Sequence, residues 1–493
     1  MSKLPLLLLF SFLCLCSAQS GRQTQQWQQP NRCQIHRIQA RQPQQRFESE
    51  GGVTEIWFQN NDEFRCAGVV LIRQTIKPNS FDLPGYNNAP KLAYVVQGNL
   101  LLHSHSSSIN KTSTYKPLLW QGLHSLIVPG CAETYQSVQQ YSQQETQRRG
   151  GQVQDEHQKV RRIREGDVVA NPTGMVHWYY NDGNTDLVLV SILDTSSNMN
   201  QLDQQYRKFY LAGDYSRLQR LQEQRQEEQP ERYQEQGISA NNIFGGIDDQ
   251  ILQEVLGVER DLVEKIKGRG DMRGHMIRAK SGFQLIRPSR MEEEYERQSR
   301  DVVQNGLEET LCTMRLRENI GKPSRADVYN PQAGRISTVT NNDLPILRLL
   351  GLSATRGVLH RNAIYAPHWN LNAHSLIYVT RGSARVQIVG NQQQNAIFDG
   401  QVQEGQVLVV PQNYVVVKQA GDRGFEWVSF KTHENAMTHN LVGKTSPFRG
   451  LPVDMLASMY QISRQEAENL KYNRGQEVAL FVPSHQSQGR ASA

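Results

Sequence analysis

A series of motifs that occurs twice, in the same order, limits what this chain can fold into more than any other feature. The first copy reads Val69-Val70-Leu71-Ile72-Arg73, then Pro84-Gly85-Tyr86-Asn87, then Leu92-Ala93-Tyr94-Val95-Val96-Gln97-Gly98. The second reads Gly357-Val358-Leu359-His360-Arg361, then Pro367-His368-Trp369-Asn370, then Leu376-Ile377-Tyr378-Val379-Thr380-Arg381-Gly382. Further on, Glu165-Gly166-Asp167-Val168-Val169-Ala170-Asn171-Pro172 is answered by Glu404-Gly405-Gln406-Val407-Leu408-Val409-Val410-Pro411. The copies then enter β-rich runs, 176–180 and 187–193 in the first, 414–418 and 425–430 in the second. β-Branched and aromatic runs parted by Gly, Pro and Asn are strands joined by tight turns. Many of them at short spacing make a jelly-roll barrel. The expectation is an all-β dominated protein of two such barrels, for which 493 residues leave ample room.

Each barrel is followed by a helical pattern, at 200–212 and 247–267 after the first and at 435–441 and 452–472 after the second. Leu252, Val255, Leu256, Val258, Leu262 and Ile266 recur at helical spacing and should pack on their own barrel. The copies also differ in length. Gly98 to Gly166 is 68 residues, against 23 from Gly382 to Gly405. Part of the excess is a polar loop, 139–158. The rest, 99–121, reads as an insertion at a strand junction, and it carries the sequon Asn110-Lys111-Thr112 for sugar attachment.

The N-terminus joins Met1-Ser2-Lys3 to an apolar run at 6–16 and the small residues Ser17-Ala18. This is the pattern of a secretory leader, cut after Ala18 or Ser20. The run is too short to span a bilayer, and no later segment is long and apolar enough. Outside the leader stand Cys33, Cys66, Cys131 and Cys312, which allow three pairings and contain no C-x-x-C. The net charge of +6 is the small difference between 54 basic and 48 acidic side chains, mixed along the chain, which argues against nucleic-acid or membrane binding. Tracts at 219–236 and 291–300 are rich in Gln, Glu and Arg and too poor in apolar residues to bury much surface. Gln is frequent throughout, and Arg outnumbers Lys by 39 to 15, so the solvent face is dense in nitrogen.

The region after the second tract contains Asn305-Gly306-Leu307-Glu308-Glu309-Thr310-Leu311-Cys312-Thr313, with Ala326-Asp327 beyond it. An Asn-Gly pair favours a turn because both residues tolerate positive φ, and an exposed tip is where a protease engages the backbone. The whole string resembles the signature at the acidic–basic chain junction of the 11S (legumin-type) seed storage globulins, a bicupin family. The likeness extends from about Cys33 to about Gln476. It implies bonds Cys33–Cys66 and Cys131–Cys312, the second spanning the cut after Asn305. It also implies a precursor trimer cleaved by an asparaginyl endopeptidase, then a hexamer with identical or related 11S subunits. The route would run through the endoplasmic reticulum to the protein storage vacuole, and the role would be a nutrient reservoir of a kind that often includes allergens. The corresponding division is a leader 1–20, a first cupin domain with helices 21–270, a variable segment 271–305, a second cupin domain with helices 306–476 and a tail 477–493. In this family the helices also carry subunit contacts.

Catalytic cupins hold a metal with an H-x-H pair, a following carboxylate and a third histidine in G-x5-P-x-G-x2-H-x3-N. The first copy keeps the latter motif in Gly166, Pro172, Gly174, His177 and Asn181. However, Pro84-Gly85-Tyr86-Asn87 stands where the histidine pair belongs, and Lys91 at the carboxylate position. The second copy keeps His368, while Asn370, Ser375 and Val416 replace its partners. One imidazole per barrel cannot make a metal centre, which needs three or four converging ligands. His103 and His105 form an H-x-H inside the insertion, with no third ligand in register. The expectation is therefore no catalytic residue, no metal and no cofactor. Two other functions compete with storage: an oxalate-degrading two-barrel metalloenzyme, disfavoured by the missing ligands, and a protein binding a sugar or small acid at a barrel mouth.

Overall fold

The computed structural model describes residues 37–58, 61–96, 122–131, 156–213, 239–281, 314–391, 395–474 and 477–483, with Cys33, Ile35, Glu133, Tyr135, Gln136, Phe283, Leu285 and Cys312. The leader, the insertion with Asn110, the tract 291–300, Asn305-Gly306 and the end of the tail lie outside the described residues. Each repeated motif forms a strand, and the strands close into two jelly-roll barrels.

The first barrel has two sheets. One runs Gln45–Ser49, Gly52–Trp57, Val69–Ile76, Leu187–Asp194, Lys91–Val96, Asp167–Asn171 and Arg317–Asn319. The other runs Val160–Ile163, Gly122–Ile127, Val176–Asn181, Gly85–Asn87, Arg207–Tyr210 and Ser239–Asn242, with Ser80–Asp82 and Met276–Arg278 attached. In the second barrel two long strands, Ser375–Val389 and Val415–Lys431, pass through both layers and join them into one curved sheet. The first copy has Lys91–Val96 and Gly122–Ile127 where the second has the single strand Ser375–Val389. Antiparallel pairing with alternating side chains turns one face of each strand inward. Tight packing sets local sequence as well. Gly357 faces Trp427 across the ladder, and a Cβ there would sit 2.0 Å from the indole.

Two segments cross between the halves. Arg317–Asn319, downstream of the junction, pairs with Asp167, Val168 and Val169 at the edge of the first barrel. In return Ile35 and Ile38 are buried in the core of the second, and Arg41 bridges to Val407. A shared core fills the space between, with Trp57 and Phe64 from one half and Leu347, Leu350, Tyr378 and Phe430 from the other.

The helices at 247–267 form as Asp249–Leu256 and Arg260–Ile266. The Asp248 side chain caps the first by accepting from the amides of Gln250 and Ile251, and Gly257 ends it in the left-handed region. Those at 452–472 form as Val453–Tyr460 and Arg464–Tyr472, the latter opened by a Ser463/Glu466 capping box. Both pairs turn apolar side chains to solvent, among them Ile251, Val255, Met459 and Leu470. Their packing is thus only partly on their own barrel. The helical expectation at 200–212 and 435–441 is wrong. There the chain forms the strands Arg207–Tyr210, between Gly85–Asn87 and Ser239–Asn242, and Thr438–Asn440, paired with Ile364–Asn370. In the first case Tyr206, Lys208 and Tyr210 are buried, alternating with half-buried Arg207 and Phe209, a period of two rather than 3.6.

Candidate functional site

Among the described residues two disulfides hold the chain. Cys33 and Cys66 lie 4.6 Å apart between Cα atoms and tie the N-terminal segment to the helix Asp62–Ala67. Cys131 and Cys312 lie 5.5 Å apart and connect the first barrel to the start of the downstream half, across 181 residues of sequence. Gln158 steadies the turn that carries Cys131, because its amide donates to the carbonyls of Val128 and Cys131 at 3.0 and 2.9 Å. Beyond Cys312 the strand Arg317–Asn319 is locked by buried polar contacts. Asn319 Nδ2 donates to Asp167 Oδ1 at 2.7 Å and to the Glu165 carbonyl at 2.8 Å, and Arg317 reaches Asp167 Oδ2 at 3.2 Å.

Among the described residues one group of three potential metal ligands converges: Cys33, Cys66 and His374. Its two sulfurs are bonded to each other, so neither is available as a thiolate.

The interior of the first barrel is more polar than its sequence suggests. Among the described residues it holds more than one buried imidazole: His124 on Gly122–Ile127 lies with its ring 4.8 Å from that of Tyr179, His177 approaches the same ring at 6.1 Å, and His275 is buried against Tyr210. The count of one was too low because His124 lies outside both metal motifs; its signal was a histidine within the strand-forming run Gly122-Leu123-His124-Ser125. His124 donates from Nε2 to Asn171 Oδ1 at 2.9 Å, and Asn171 Nδ2 donates to the Tyr179 hydroxyl at 2.8 Å. His177 donates from Nδ1 to the Met175 carbonyl at 3.2 Å. His124 Nδ1 and His177 Nε2 have no partner among the described residues. Burial drives the His124 pKa down to about 3 and that of His177 well below the ordinary imidazole value, so both are neutral. Lys91 donates to Gln74 Oε1 at 3.1 Å, and Lys208 pairs with buried Asp82 at 2.7 Å. Burial pushes the Asp82 carboxyl up, but Lys208, with help from Lys91, outweighs it and holds the group ionised.

The second barrel contains a cavity of about 190 Å³, lined in part by Tyr365, His368, Asn370, Trp427, Lys418 and Lys431. His368 donates from Nδ1 to the Ala366 carbonyl at 2.7 Å, stacks on Tyr365 at 3.8 Å and turns Nε2 toward Lys418 Nζ at 3.2 Å. Lys431 Nζ donates to Asn370 Oδ1. Both lysines are buried. Sequence reading passed them over, although the signal was present: Lys418 shares its inward phase with buried Val416 and Ala420.

The cupin family model matches residues 38–215 and 318–468. The chain is 44% identical to an 11S globulin subunit beta of Cucurbita maxima over 98% of each sequence. Among solved structures, recombinant pro-11S globulin of pumpkin matches with a TM-score of 0.74 at 43% identity, over 92% of this chain and 100% of that one. Coconut cocosin matches with a TM-score of 0.74 at 40% identity, again over 92% and 100%.

Proposed function

Because the chain belongs to the 11S, legumin-type globulins of the cupin family, we propose that it is a seed storage protein that travels the secretory route to the protein storage vacuole. There it serves as a reserve of nitrogen and amino acids. It is made as a precursor trimer, cut after Asn305 by an asparaginyl endopeptidase and packed as a hexamer with identical or related 11S subunits. One observation carries the reading: Cys131 and Cys312 are bonded across the segment that contains Asn305-Gly306, so the cut leaves two chains that stay covalently joined. A catalytic role is disfavoured. In the first barrel Lys91 stands at the carboxylate position of the metal motif and the buried carboxylate of Asp82 is taken up by Lys208, and in the second His368 faces Lys418.

The exposed apolar helix faces on both barrels support assembly, since patches of this kind mark interfaces. A loop that includes the tract 291–300 and covers one trimer face would block face-to-face packing until it is cut. The substitution Asn305→Gln tests this. The variant should fold, remain a single chain and stop at the trimer in sedimentation, whereas hexamers forming as readily as in the parent would separate the cut from assembly. The storage role itself is read from seed. The protein should accumulate during maturation and disappear on germination, and scarcity in mature seed would refute it.

A further inference from the structure

The two barrels bury lysines in different company. In the first, Lys208 is an ammonium ion paired with the carboxylate of Asp82 at 2.7 Å. In the second, no carboxylate pairs with buried Lys418 among the described residues. Its Nζ lies 3.2 Å from His368 Nε2 and 4.9 and 5.3 Å from the ring centroids of Tyr365 and Trp427. His368 Nδ1 donates to the Ala366 carbonyl at 2.7 Å, so Nε2 carries the lone pair that faces the amine. Burial, and after it the charge of Lys431, hold the Lys418 amine well below the ordinary lysine pKa. Lys431, at about 8, keeps its proton at neutral pH and donates to Asn370 Oδ1. An amine poor in protons, an imidazole lone pair and an ammonium group thus line one cavity. Its rim includes exposed Thr438 and Asp327, whose carboxylate accepts from the Thr338 amide at 2.6 Å.

A lysine desolvated in an apolar pocket beside a second cation is a nucleophile toward carbonyl carbon. From this arrangement of Lys418, His368 and Lys431 around the cavity, we infer that Lys418 captures a small aliphatic aldehyde as an imine inside the second barrel. Lys418 Nζ attacks the carbonyl carbon, and the π pair moves to the oxygen, which the Lys431 ammonium in the same cavity stabilises. His368 Nε2 carries each of the two amine protons in turn to that oxygen, and the C–O bond then breaks. Amine and aldehyde give imine and water, and nothing is oxidised or reduced. An apolar cavity of about 150 Å³ holds benzene, so about 190 Å³ takes a chain of roughly four to six carbons. Ile377, Val416 and Trp427 supply apolar wall for that chain. The capture is independent of the storage role and of the cut at Asn305.

Butanal is the probe, mixed at limiting concentration with the native full-length protein at neutral pH and trapped with cyanoborohydride, which delivers hydride to the imine carbon. Peptide mass spectrometry then gives the rate of N-butylation at each lysine. Lys418 should be labelled about tenfold or more faster than any exposed lysine, because each unit of lowered pKa raises the free-amine fraction about tenfold. In urea that preference should vanish. His368→Gln, whose side chain cannot carry a proton, should slow labelling at Lys418 about tenfold or more and leave the other lysines unchanged. Val416→Phe fills the cavity and should abolish the fast reaction. Labelling of Lys418 no faster than that of the exposed lysines in the native protein overturns the inference, and so does a preference that persists in urea. Unchanged labelling in a folded His368→Gln or Val416→Phe variant also overturns it. The native-against-urea comparison uses the unaltered protein and decides the matter even where a variant does not fold.

Discussion

Reducing the Cys131–Cys312 bond after the cut at Asn305 should not release the two chains under native conditions. The perturbation removes the only covalent link between them among the described residues, but the halves have exchanged segments. Leu316 and Ile320 flank the strand that the downstream chain adds to the first barrel, and Ile35 and Ile38 from the upstream chain sit in the second. All four are at most 2% exposed. At about 1.5–3 kcal/mol for each buried aliphatic side chain they contribute about 6–12 kcal/mol. A micromolar complex needs only about 8 kcal/mol. The shared core, in which Trp57 meets Tyr378 edge-on at 6.2 Å, adds to this and offsets the entropy of association. In the uncut chain the same bond closes a loop of 181 residues and is worth about 5 kcal/mol in the chain-entropy model. Its removal should therefore lower the denaturation midpoint without changing the native assembly. The assay is size exclusion of the cut protein with and without reductant, in buffer and in urea. One species should elute in buffer in both cases, and two only with reductant and urea together. Release by reductant alone in buffer would show that the exchanged segments hold far less than their burial implies.

Two further outcomes follow from packing and charge. Burial lowers the Lys431 pKa from about 10.5 to about 8. The folded state therefore holds this proton less tightly than the unfolded state does, and the cost is full below about pH 8 and fades as pH rises to about 10.5. Lys431→Met should raise the unfolding free energy by about 3 kcal/mol at pH 7, with the gain shrinking through that window; a gain independent of pH, measured by urea unfolding, would contradict the assignment. Gly357→Ala drives a methyl into Trp427 and should cost about 1–3 kcal/mol or more, visible as a lower melting temperature, and an unchanged melting temperature would mean that the ladder gives way freely.

The barrels were legible because strand runs and their Gly/Pro punctuation are local, and because the chain states them twice. The paired helices at 247–267 and 452–472 were legible from their apolar spacing. The misread stretches, 200–212 and 435–441, become strands because the edges of Gly85–Asn87 and Ile364–Asn370 offer them ladder partners, a non-local cause. The exchange of Ile35 and Ile38 against Arg317–Asn319 is likewise invisible to local pattern. Composition left three cysteine pairings open, and only the family likeness chose the two that the structure forms. Lys418 and Lys431 belong to no metal motif, and their only local signal is a charged side chain in the inward phase of an apolar strand, which marks a polar interior.

The proposed cut divides one precursor at a defined bond into two chains that remain linked. Intact mass spectrometry of the protein purified from mature seed, before and after reduction, tests it most directly. One disulfide-linked species is expected, which reduction resolves into an upstream chain containing Cys33, Cys66 and Cys131 and a downstream chain that begins at Gly306 and contains Cys312. A single chain surviving reduction, or a downstream chain starting well away from Gly306, would contradict it.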